Sequence, residues 1–119
     1  RPGGTIIVAT PCPEGVAVTH PDMVHFAGRA KAEIESAIQL GEIHDLTAGA
    51  LALAWANTRQ RARISLVSQG IAAEDARALG FEPFVSVEQA LEDALARYGR
   101  EARISVLPYA PDTLPIVQA

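Results

Sequence analysis

Thr5-Ile6-Ile7-Val8-Ala9-Thr10, running into Pro11-Cys12-Pro13-Glu14-Gly15, is the stretch on which the fold turns. A short β-branched run, bounded by Gly3-Gly4 before it and prolines after it, reads as a buried strand. Two later runs repeat the arrangement. Ile64-Ser65-Leu66-Val67 empties into Ser68-Gln69-Gly70, and Ile104-Ser105-Val106-Leu107 into Pro108-Tyr109-Ala110-Pro111-Asp112-Thr113. If these strands are parallel, their loops emerge at one edge of one sheet, where open α/β folds bind ligands.

Between the strands the helical signals are regular. Pro21 opens a short helix through Asp22 to Phe26. Ala30, Ile34, Ala37 and Ile38 recur at helical spacing, with Gly41 where a C-terminal cap belongs. Asp45 or Thr47 caps a third helix from Ala48 to about Arg59. Leu51, Leu53, Ala54 and Trp55 make it apolar on more than one side, which predicts broad cover. After Arg63 the rhythm becomes β-α-β-α-β: a helix over Ala72–Leu79, a strand near 81–85, a helix opened by Ser86 and a strand near 103–107. Pro83 cannot donate to a ladder, so the strand that holds it belongs at an edge. Ser86-Val87-Glu88-Gln89 is a capping box, and the helix it opens places Leu91 and Leu95 on its buried face. The expectation is one three-layer αβα, Rossmann-like domain over residues 1–119, with a mostly parallel sheet of about four strands.

Composition bounds the function. The chain has 119 residues, a net charge of −4 and a single lysine, Lys31. Its arginines are scattered rather than clustered on one face, so no nucleic-acid footprint appears. Arg59, Arg61 and Arg63 read as a solvated helix end. One cysteine, Cys12, leaves no internal disulfide and no multi-cysteine zinc site. No apolar run approaches the ~20 residues of a membrane-spanning helix. A cytoplasmic location, with no membrane and no nucleic-acid partner, is therefore expected. The chain opens at Arg1-Pro2 without Met, as a processed protein or a piece of a longer one would.

The candidate site residues gather in the loops. Cys12 sits between two prolines with no helix directly after it, so a loop thiol with a shaping role is expected rather than a nucleophile. Glu14-Gly15 forms a turn, and Gly15 allows close backbone approach. His20, His25 and His44 lack the spacing of a helical metal pair. Among them, His20 returns from the first loop to the same sheet edge. No G-x-S-x-G elbow and no glycine-rich phosphate fingerprint is present, and no complete acid, base and orienting set stands out.

Taken in order, these segments resemble the C-terminal domain of the lactate racemase family, the nickel-pincer-dependent 2-hydroxyacid racemases and epimerases. The likeness rests on 3–15, on Ala62-Arg63-Ile64-Ser65-Leu66-Val67-Ser68, on Leu79-Gly80-Phe81-Glu82-Pro83 with Ser86–Leu91, on 102–108, and on Asp112-Thr113-Leu114-Pro115. The resemblance implies a lid domain whose partner is the N-terminal catalytic domain of the same protein, absent from this chain. That domain would hold the nickel-pincer nucleotide and the histidine bases acting on a small 2-hydroxyacid. This chain alone would then be inactive and bind no metal. The substrate- or cofactor-facing candidates are Cys12, Glu14, Gly15, His20, Lys31, Tyr109, Asp112 and Thr113; Phe26 and Lys31 lie in helices that roughly correspond to the one carrying the family's aromatic and lysine contacts. The Pro11–His20 loop departs from the lactate-type loop, which leaves the hydroxyacid open. Two other readings stand beside this one: a freestanding module binding a nucleotide or small acid, and a protein-interaction domain that uses the apolar third helix.

Overall fold

A computed structural model describes residues 3–114 and Ile116; Pro115 of the closing motif lies outside them. The elements run β1 (Gly4–Ala9), α1 (Asp22–Phe26), α2 (Lys31–Gln39), α3 (Leu46–Arg59), β2 (Ala62–Val67), α4 (Ala73–Ala78), β3 (Glu82–Phe84) and α5 (Val87–Tyr98), followed by a 3-10 turn at Ala110–Asp112. The three strands form one parallel sheet in the order β1-β2-β3. Gly4 pairs with Ala62 and Ala9 with Val67; Ser65 pairs with Glu82 and Val67 with Phe84.

Strand alternation sorts the faces. Thr5, Arg63 and Glu82 point toward α5, where the Tyr98 hydroxyl meets Thr5 Oγ1 at 3.1 Å and Arg97 reaches Glu82 at 3.7 Å. Ile64 and Leu66 are buried on the opposite face, where α3 packs on β2 and α4 on β3. Two parallel crossovers stepping in the same direction place their helices on one face, and α5 supplies the other layer. The αβα expectation holds with three strands among the described residues.

The largest cluster of buried residues sits to one side of the sheet. Met23, Ala27, Ile34, Ala37, Ile43, Ala48, Ala52, Ala56 and Leu79 form it, bringing α1, α2, α3 and the end of α4 together. Small residues on α3 let the helices approach, and Trp55 meets Phe81 with ring centroids 4.9 Å apart. Gly28 is required for this packing, since a Cβ there would lie 2.1 Å from the Ala78 carbonyl oxygen.

Three expectations need correction. The 103–107 segment forms no strand. It is exposed, and no backbone hydrogen bond joins it to the rest of the described chain. Its alternation supplies the propensity, but the tight turn in which Ala102 N–H bonds the Gly99 carbonyl does not return it to the open edge of β1. Leu91 and Leu95 are half-buried rather than buried, because α5 lies over a sheet only three strands wide. The cover of α3 is also narrower than its composition suggests. Ala48, Gly49, Ala52 and Ala56 are buried, whereas Leu46 is 76% and Leu51 41% exposed.

Candidate functional site

The carboxyl ends of β1 and β2 hand the chain to two loops that interlock. Thr10 N–H donates to the Val67 carbonyl at 3.0 Å, extending the ladder one residue past β1. Gly70 N–H then donates to the Pro11 carbonyl at 2.9 Å, and the Ser68 hydroxyl donates to the same oxygen at 3.3 Å. The approach is so close that a Cβ on Gly70 would sit 1.7 Å from the Cys12 carbonyl oxygen. Only glycine fits there.

Within the first loop the backbone is strained. Cys12 has φ +40° and Ala17 φ +30°, and they are the non-glycine residues with positive φ among those described. Such conformations cost roughly 1–3 kcal/mol each and persist where surrounding contacts enforce them. Here Gly15 N–H bonds the Cys12 carbonyl, and Val16 and Ala17 pack against the core. The loop ends at His20, whose N–H donates to the Ala17 carbonyl at 2.7 Å and whose carbonyl accepts from Met23 N–H at 3.0 Å.

His20 is also held by its ring. Its Nδ1 lies 2.5 Å from Asp45 Oδ2. Asp45 is the N-cap of α3, and its Oδ1 accepts from the backbone N–H groups of Thr47 and Ala48 at 2.9 and 3.0 Å. Asp22 Oδ2 in turn accepts from Asp45 N–H at 3.3 Å. The bond from His20, reinforced by that from the Ala48 amide, holds the Asp45 carboxyl below its ordinary value of 3.8. An ionised carboxylate only accepts hydrogen bonds, so Nδ1 of His20 is the donor in this pair, and in the neutral imidazole Nε2 is then the acceptor. A crossover helix returns opposite to its strands, so the start of α3 lies at the carboxyl edge of the sheet, with the interlocked loops.

The other candidates separate into groups. Cys12 is half-buried, its Sγ 3.4 Å from Thr10 Oγ1. Glu14 is exposed at the tip of the same loop, and Gly15 turns it with φ +79°. Lys31 faces Glu35 on its own helix at 3.6 Å, while Phe26 packs against the core under the Arg29 guanidinium. Tyr109, Asp112 and Thr113 share an exposed turn whose hydrogen bonds are internal: Asp112 N–H to the Tyr109 carbonyl and the Thr113 hydroxyl to the same oxygen. Without a fourth strand, nothing in the sheet carries that turn to the loop edge.

His25 and His44 are exposed. Among the described residues, no group of three or more His, Cys, Asp or Glu is disposed to hold a metal ion. Asp45 and Asp22 are the site residues that reading the sequence missed. Asp45 was legible as a helix cap, but a contact across 25 positions to His20 leaves no local pattern.

The opposite edge of the sheet is the more hollow one. A cavity of about 430 Å³ there is lined by Arg59, Arg63, Arg77, Gly80 and Phe81, among others. Two of its three arginines are paired: Arg59 donates to the carbonyls of Leu79 and Arg29, and Arg63 to Glu82 at 2.6 Å. Partial burial lowers the pKa of Arg59 from its ordinary value. By these bonds Arg59 closes the end of α4, and Arg63 braces β2 against β3.

No family model and no curated protein matches this sequence. No helix among the described residues is long and apolar enough to cross a membrane.

Proposed function

We propose that this chain is the cleft-closing domain of a cytoplasmic 2-hydroxyacid racemase or epimerase of the lactate racemase kind, working against an N-terminal catalytic domain. The motif order along the chain supports the reading. The observation that carries it is the oriented imidazole of His20, backed by the Asp45 carboxylate at the rim of two interlocked loops.

The donor set of the described residues does not fit a nickel-pincer centre, because His20 is engaged by Asp45 and no group of three or more His, Cys, Asp or Glu among them is disposed to hold a metal ion. No step through such a centre is assigned to these residues. In this reading the chain binds and orients. His20 Nε2 accepts a hydrogen bond from a substrate hydroxyl, and Glu14 at the loop tip meets the facing domain. Closing the edge over the substrate excludes water, which strengthens each electrostatic contact.

The test uses the two domains joined. His20→Ala and replacement of the 11–20 loop by Gly and Ser should each lower racemase turnover, while the His20→Ala protein melts as a folded domain. The isolated chain should show no racemisation. Racemisation by this chain alone, or full activity after loop replacement, overturns the proposal. A second reading, a freestanding module for small carboxylic acids, draws on the same oriented imidazole. It predicts a thermal upshift of the isolated chain with millimolar-range lactate, because a ligand that binds only the folded state stabilises it.

A further inference from the structure

The sheet has an edge that nothing described here covers, and the chain has a strand-like segment that pairs with nothing described. β1 is bonded on one side only, to β2. Its six residues, Gly4-Thr5-Ile6-Ile7-Val8-Ala9, carry no charge and no proline, the devices that usually block an edge from accepting another strand. On the face away from α5, Ile6 is 43% and Val8 38% exposed, with Leu51 of α3 41% exposed. A hollow of about 430 Å³, lined by Gly4, Ile6, Asn57 and Thr58 among others, runs beside the amino end of the same strand. An uncharged open edge of this kind selects an extended strand as its occupant rather than a helix.

The chain carries such a strand. In Arg103-Ile104-Ser105-Val106-Leu107 the apolar residues Ile104 and Val106 alternate with polar ones. Ile104 is 57% and Val106 79% exposed, and the segment's backbone groups bond to no other described residue. It leaves α5 at Tyr98, whose hydroxyl touches Thr5 at the start of β1. A strand departing from that point along β1 runs parallel to it. The connection is a tight turn in which Ala102 N–H bonds the Gly99 carbonyl, directly before Arg103. Short hinges of this kind favour exchange between chains over folding back.

We propose that two copies of this chain exchange these segments. Residues 103–107 of each copy add as a fourth parallel strand to the outer edge of β1 in the other, about a twofold axis. In the register that sets Ile104 and Val106 beside Ile6 and Val8, the two apolar pairs cover each other. With residues 108–114 and the adjacent face of α3, each copy brings on the order of 20 residues to the contact, the low end for a stable interface. Reciprocity doubles the ladder. The proposal is independent of the racemase reading.

Sedimentation equilibrium of the 119-residue chain tests it, paired with hydrogen exchange at the Ile104 and Val106 amides. A dimer with both amides protected is expected, and protection should fall on dilution as the dimer dissociates. Val106→Pro removes a ladder donor from an exposed position, so it should abolish the dimer and leave the helical circular dichroism unchanged. Lengthening the hinge with several glycines after Gly99 should yield a monomer that keeps the protection. A wild-type monomer overturns the proposal in either form: protected amides mean that the segment folds back on its own β1, and unprotected ones that the edge stays open. A dimer that survives Val106→Pro overturns it as well, since another surface then holds the copies together.

Discussion

Asp45 divides its carboxylate between the backbone of α3 and the ring of His20, and each half has its own signature under mutation. Asparagine caps a helix about as well as aspartate, so Asp45→Asn should keep the start of α3 while releasing the imidazole. Asp45→Ala loses both and should be the less stable protein in urea. Acid separates them further. A carboxyl whose folded pKa lies below its unfolded value contributes stability above the unfolded value and loses it as pH falls through the folded one. For Asp45 that loss begins below its ordinary value of 3.8. Denaturant titrations at a series of pH values should show the wild type weakening more steeply than Asp45→Asn in that acid range. At the loop junction, Gly70→Ala drives a Cβ into the Cys12 carbonyl and should cost at least about 1–3 kcal/mol. Ala17→Gly should run the other way. Glycine substitutions usually cost roughly 0.5–1 kcal/mol, but relief of the positive φ at Ala17 should bring this one near or below zero in thermal melts.

α5 tests how a helix is held on a narrow sheet. Ser86 Oγ accepts from the Gln89 amide at 3.3 Å, so Ser86→Ala should cost about 0.5–2 kcal/mol. Leu95 is half-buried, which places Leu95→Ala at about 1–2 kcal/mol, below the roughly 2–5 of a fully buried leucine. Chemical denaturation that ranked Leu95→Ala above that range would mean a deeper contact than the three strands provide. The elements themselves were legible where local signals coincide. The runs around Ile7, Leu66 and Pro83 became strands, and Asp45 and Ser86 capped the helices expected of them. Residues 103–107 carry the same alternation and formed no ladder, since alternation reports a preference and the tight turn at Gly99–Ala102 does not bring the segment back along the open edge of β1. The same limit applied to the site. His20 stood out beside the first loop, whereas Asp45 reaches it only because α3 returns to the carboxyl edge.

At the scale of the molecule the burial is lopsided. Ile34 is fully enclosed among the helices, while Ile6 in the sheet is 43% exposed. Ile34→Ala should therefore cost roughly 2–5 kcal/mol and Ile6→Ala well under half as much, a ranking that calorimetry of the two variants checks. The ladder is uneven in a second respect. β2 reaches β3 across one short helix, as Ser65 meets Glu82, but β1 reaches β2 only across three helices, as Gly4 meets Ala62. Distant pairings pay more loop-closure entropy and form later. β2, α4 and β3 should accordingly assemble early in refolding, with β1 arriving last. Conservative truncations then divide by rate: Ile7→Val should speed unfolding and leave refolding nearly unchanged, whereas Ile64→Val should slow refolding. Until β1 docks, the inner edge of β2 stands open, so crowded refolding should lose material to aggregation in that interval and dilute refolding should recover it.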